Sequence, residues 1–147
     1  VSRTAEELLG FEGLVEILHG FSTCAPGRRA LESLRFSQDR IALEAVFTRI
    51  GEAVEYLGSG AELGFGALAD PDPWLARLAL PSATLEPGEL LQAAALIETA
   101  YDTRQTLAAL RERWPLLAAS AGALADLRPA AAAIRRAILP GGEIADN

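Results

Sequence analysis

Apolar residues return every three or four positions along almost the whole chain, and no stretch of useful length alternates apolar with polar. Spacing of that kind lines one side of an α-helix, whereas a half-buried strand needs a period of two. A chain with this rhythm folds by laying helix on helix. Its apolar half is mostly Leu and Ala, with few aromatics and few Val, Ile or Thr, a mix that favours helices.

Prolines, glycines and capping residues cut the rhythm into segments. A first helix is expected after a cap at Ser2 or Thr4, with Leu8, Phe11, Leu14, Val15 and Leu18 on one face. Gly20 to Pro26 breaks it, and Pro26 suits the first turn of a short second helix carrying Leu31 and Leu34. Ser37 or Asp39 can cap a third helix with the stripe Ile41, Leu43, Val46, Phe47, Ile50, Val54, Leu57. The glycines from Gly58 to Gly66 read as a flexible connection, followed by a turn of helix around Pro73 to Leu80. Glu86-Pro87-Gly88-Glu89 then opens the longest helix, lined by Leu90, Ala94, Ile97, Tyr101, Leu107 and Leu110 and running to about Arg113. Leu116 to Leu124 and Leu127 to Leu139 read as two last helices, the second closed by Pro140-Gly141-Gly142. The expected fold is all-α: a bundle of about five to seven helices with one long helix near 86–113.

The length of 147 residues fits one domain, and a domain of this size buries roughly 70% of its unfolded surface. Phe11, Leu14, Leu31, Val46, Ile50, Leu90, Ile97 and Tyr101 are the expected packing residues. The net charge of −7 argues against a chain that itself grips phosphates, because phosphate contacts call for a basic surface. One cysteine, Cys24, rules out an internal disulfide and fits a reducing compartment. No signal-peptide core and no run long enough for a membrane span is present, so a cytoplasmic location without membrane contact is expected. After Gly142-Glu143-Ile144-Ala145-Asp146-Asn147 no closing element is expected, as in an N-terminal piece of a longer protein.

Candidate chemistry is thin. Glu16 and His19 have the Glu-x-x-His spacing of a di-iron helix, but that site needs a second such pair and His19 is the only histidine. One Cys and one His cannot make a closed zinc site. Cys24 and His19 could be written as a nucleophile pair, yet nothing in the sequence is placed to orient the imidazole. The glycines of 58–66 follow a helix and the chain has no lysine, unlike a phosphate loop. Glu52, Glu55, Glu98, Asp102 and Glu112 read as solvated helix faces, and the doublets Arg28-Arg29 and Arg135-Arg136 as ordinary surface charge. No catalytic, cofactor-binding or metal-binding residue is expected in this chain.

The order of certain pieces nevertheless resembles a known family. Phe11-Glu12-x-Leu14-Val15 is followed by Gly27-Arg28-Arg29-x-Leu31-x-x-Leu34 and by Glu52-Ala53-Val54-Glu55-Tyr56-Leu57. Then come Gly66-Ala67-Leu68-x-Asp70, Leu75-x-x-Leu78, Leu85-Glu86-Pro87-x-Glu89-Leu90, Pro115-Leu116-Leu117 and Gly142-Glu143-Ile144-x-Asp146. This series resembles the N-terminal part of the second bacterial branch of MutS-like proteins. It departs from them at Cys24 and Ala25, where a small hydroxyl residue is expected, and at Pro71 and Pro73, which stiffen the middle connection.

The resemblance implies a helical core-and-lever segment coupling a DNA-embracing clamp to a C-terminal ATPase. In the parent protein it implies ATP and magnesium, a homodimer, a nuclease-like domain, and action on branched DNA in recombination control or on stalled ribosomes. The rest of its own polypeptide is then its first partner. The competing reading is a free-standing helical adaptor that binds a protein partner through an apolar groove.

Overall fold

A computed structural model of the chain describes residues 10–35, 37–66 and 68–145. Among these residues seven α-helices follow one another: α1 Phe11–Phe21, α2 Ala25–Glu32, α3 Arg40–Gly58, α4 Asp72–Leu78, α5 Pro87–Ala109, α6 Pro115–Gly122 and α7 Arg128–Ala137. The all-α bundle with one long helix is what the spacing predicts. The expected caps at Ser2 and Thr4, and Leu8 of the first stripe, lie outside the described residues.

Helix boundaries follow local chemistry. Asp39 caps α3, its carboxylate accepting from the backbone N–H groups of Ile41 at 3.0 Å and Ala42 at 3.1 Å. Gly60, at φ 82°, takes the left-handed position just past the α3 end, where a side chain would be strained. Prolines stand in the first turns of α2, α4, α5, α6 and α7, where the missing N–H leaves no hydrogen bond unmade. Pro73 therefore starts α4, and Pro71 is buried with its carbonyl accepting from Leu75. At α5, Glu89 reaches back to the backbone N–H of Glu86 at 2.9 Å.

The α5 helix stops at Ala109, one turn short of the expected Arg113. Two tight turns at its end, with Arg113 and Trp114 both donating to the Leu110 carbonyl at 3.0 Å, swing the Trp114 side chain inward. Pro115 then opens α6.

α5 is the central element. It packs against α6 on one side and α7 on the other, α6 packs in turn against α3, and α1 packs on α2. Ala93 and Ala94 on α5 and Ala131 on α7 are buried, and small residues of this kind let helix backbones approach closely. A hydrophobic cluster joins Tyr56, Leu107, Trp114 and Ala121, with Leu63 and Leu117 against it. Leu63 and Ala61 come from the glycine-rich 58–66 segment. That segment is a packed connection rather than the flexible linker its glycines suggest.

The expected packing residues need correction. Leu14, Val46 and Ile50 are exposed, and Phe11, Leu31, Leu90, Ile97 and Tyr101 are only half-buried. For Val46 and Ile50 the physical reason is that α3 docks through a different face from its apolar stripe. Past α7 the backbone turns at Pro140–Gly142 and returns, so that Ile138 and Ile144 form an antiparallel bridge and Leu139 donates to Glu143 at 2.8 Å. Ile138 is buried, whereas Ile144 is exposed.

Candidate functional site

The most specific cluster in the molecule is the junction of α3 with α6. Tyr56 meets Trp114 edge to face, ring centroids 5.2 Å apart and planes at 90°. The Arg113 guanidinium lies over the Trp114 ring, 4.5 Å from its centroid. Glu55 accepts a long bond of 3.4 Å from the Trp114 indole N–H. Glu52 accepts from the backbone N–H of Leu117 at 2.8 Å. Leu117 stands in the first turn of α6, so a carboxylate from α3 caps that helix from a distance of 65 residues in sequence.

Glu52 is therefore half-buried rather than solvated as expected, while Glu55 stays exposed and reaches Trp114 only through that long bond. The two tryptophans carry no regular spacing, and only the Trp114-Pro115 pair, at a helix boundary, hints at an inward turn.

Docking through Glu52, Glu55 and Tyr56 leaves the apolar stripe of α3 facing outward. Phe47 is 65% exposed, Ile50 49%, Val54 64% and Leu57 50%. Together with half-buried Leu43 these residues follow one another at alternating intervals of four and three, the repeat of a coiled-coil seam. At the C-terminal end of the stripe, Leu57 shares a shallow hollow with Phe21 of α1 and Cys24.

Ion pairs organise much of the remaining surface. Arg29 holds Asp70 at 2.5 Å and Asp72 at 2.7 Å, tying α2 to the start of α4. The Asp70 carboxyl is lowered below its ordinary value, first by the backbone N–H of Asp72 and then by Arg29. Arg77 of α4 pairs with Glu89 of α5. Arg135 of α7 makes two bonds to Glu98 of α5, at 2.7 and 3.1 Å, and lowers the Glu98 carboxyl. The guanidinium of Arg128 grips Asp126 at 2.6 and 2.8 Å, lies 4.0 Å from the centre of the Tyr101 ring and donates to its hydroxyl. The same Arg128, by its side chain and then its backbone N–H, pulls the Asp126 carboxyl down to about 2. One arginine of each doublet, Arg29 and Arg135, thus serves an ion pair within the chain, while Asp102 and Glu112 are exposed as expected.

Between α1 and α2 an open groove of about 420 Å³ has a floor of Phe11, Val15 and Leu31 and a rim that includes Glu12, Glu16 and His19. Among the described residues no group of three or more His, Cys, Asp and Glu side chains stands close enough to hold a metal ion. Cys24 is a half-buried free thiol at the start of α2. In the 58–66 segment Ala61 and Leu63 pack against the Tyr56 cluster, while the four glycines are exposed. No described helix is long and apolar enough to cross a membrane.

Gly27, one of the residues in the family-like series, sits in a close approach. A Cβ there would stand 2.9 Å from Ser22 Oγ and 3.3 Å from Cys24 Sγ. Ser22 in turn donates to the Cys24 carbonyl at 3.2 Å. A hydroxyl does stand beside Gly27, supplied by Ser22 rather than by position 24 or 25.

Comparison with known proteins gives one point of contact. The chain is 36% identical to endonuclease MutS2 of Gemmatimonas aurantiaca over 145 residues, an alignment that takes in 95% of this chain. The chain spans only 18% of that relative's length. No family model matches it, and no solved structure matches it.

Proposed function

We propose that this chain is a non-catalytic core-and-lever segment of a MutS-like DNA-processing ATPase. The observation that carries the reading is the 36% identity to an endonuclease MutS2 along almost the whole chain. In this reading the parent protein supplies ATP and magnesium binding and a nuclease domain, works as a homodimer in the cytoplasm, and meets branched DNA or the ribosome. This chain supplies packed helices that move as rigid bodies and relay a change at the ATPase to a clamp. The α3–α6 junction suits such a relay, because a carboxylate cap and an interlocked aromatic pair resist sliding of one helix past the other.

Two measurements test this. The coding sequence beyond Asn147 is expected to contain Gly-x-x-x-x-Gly-Lys-Ser/Thr a few hundred residues on. In the encoded full-length protein, Glu52→Ala is expected to preserve basal ATP hydrolysis and weaken its response to four-way-junction DNA. An unchanged response in a folded variant refutes the relay.

The runner-up, a free-standing helical adaptor, is favoured by the outward apolar stripe of α3. A stop codon shortly after Asn147 selects it.

A further inference from the structure

We infer that α1 and α2 form an arm that swings as one folded unit away from α3–α7, with Arg29 as the latch that holds it closed. These two helices differ from the rest of the chain. Neither α1 nor α2 contains a buried residue, whereas α3, α4, α5, α6 and α7 each bury at least one. α1 packs on α2, while the close helix packing of the bundle, α5 on α6 and α7 and α6 on α3, leaves both out. A segment without a buried apolar anchor belongs to the low end of the range of local stabilities.

The attachment of the arm is correspondingly narrow. Among the described residues, the hydrogen bonds and ion pairs that run from 10–35 to the rest of the chain all come from Arg29, to Asp70 at 2.5 Å and to Asp72 at 2.7 Å. Asp70 also accepts from the backbone N–H of Asp72 at 3.1 Å, so the two carboxylates meet the guanidinium as a braced pair. Beside this clasp the boundary is open: Phe21, Thr23 and Cys24 of the arm share a hollow of about 600 Å³ with Leu57, Leu63 and Phe65. The corner between α1 and α2 is closed instead. Gly27 leaves no room for a Cβ beside Ser22 Oγ and Cys24 Sγ, and Ser22 donates to the Cys24 carbonyl. A close-packed corner joined to an open boundary moves as a body, so loss of the Arg29 pairs releases the arm whole. The latch is a property of this chain alone and stands apart from the lever proposed above.

Double electron–electron resonance between spin labels tests the inference, in the 147-residue chain with Cys24→Ser as the background. Labels at Ile17→Cys and Arg136→Cys, both exposed positions, span the arm and α7, and labels at Ile17→Cys and Glu32→Cys lie within the arm. The expected result across the boundary is a closed distance together with a minor, longer one. Arg29→Ala should enlarge the longer population about fivefold, the size expected when two partly exposed ion pairs are lost. Arg29→Lys should keep part of the latch because the charge remains. Salt at about 1 M should carry the parent chain towards the Arg29→Ala distribution. The distance within the arm should stay the same throughout. A single cross-boundary distance that neither Arg29→Ala nor salt moves overturns the inference. A within-arm distance that broadens alongside the other overturns it too, because that is local unfolding and not a swinging unit.

Discussion

Truncating Trp114 to alanine should be the most damaging single change in the α3–α6 region. The indole is only 3% exposed and is held on three sides: by Tyr56, by Arg113 and by the Glu55 carboxylate. Removing a buried tryptophan costs about 3–5 kcal/mol, of which the edge-to-face contact contributes roughly 1 kcal/mol. Against a total stability of about 5–15 kcal/mol this is a large fraction. At about 2–4 °C per kcal/mol for a chain near this size, the melting temperature should fall by on the order of 10 °C. Trp114→Phe separates the terms. It keeps an aromatic ring against Tyr56 and loses only the indole N–H and some area, so it should cost about 1–2 kcal/mol. Urea unfolding followed by circular dichroism gives both values. A Trp114→Ala loss below about 1.5 kcal/mol would mean that this cluster is not the hub of the domain and would refute the reasoning.

Two further outcomes follow from local geometry. Gly27→Ala should destabilise by about 1–2 kcal/mol through overpacking against Ser22 Oγ and Cys24 Sγ, and Ser22→Gly in the same chain should recover part of the loss in thermal melts; no cost for Gly27→Ala would remove the close approach. The Asp126 carboxyl should titrate near 2 by NMR and move back toward 3.8 in Arg128→Ala. Its folded value lies below the unfolded one, so its stabilising contribution is complete above pH 3.8 and fades as pH falls towards 2.

The architecture was legible because the period of the apolar residues, the position of each proline and the cap at Asp39 are local signals. Each helix boundary is settled within a few residues of itself, and the prolines in the first turns of α2, α5 and α6 mark their starts almost to the residue. The buried face was legible for α5, where Ala94 and Leu107 of the expected line are buried, but not for α3. The apolar stripe of α3 reads as core by every rule of amphipathicity, yet the helix is held by Glu52, Glu55 and Tyr56. Those contacts join residues 59 and 65 positions apart, and no periodic signal carries such a pairing. Apart from Leu107 and Ile138, the buried hydrophobic residues are alanines and isolated aromatics, because small residues and turns decide where helices come close. The linker-like glycines misled for the same reason: Ala61 and Leu63 between them pack on the aromatic cluster, and composition alone does not reveal that.

The orientation of α3 links stability to function. A helix that hid its apolar stripe in the bundle would be fixed by hydrophobic burial, which is strong but tolerant of sliding. This one is fixed by directional contacts, a carboxylate on a helix N-terminus and a T-shaped tyrosine–indole pair, which specify one register. Its larger apolar area is left for another surface. A helix held in register on one side and apolar on the other can transmit displacement, because whatever packs on Phe47 and Val54 pushes on α6 through Glu52 and Trp114. The same geometry fits the lever proposed above. In that reading α6 passes the movement to α5, which packs against both α6 and α7.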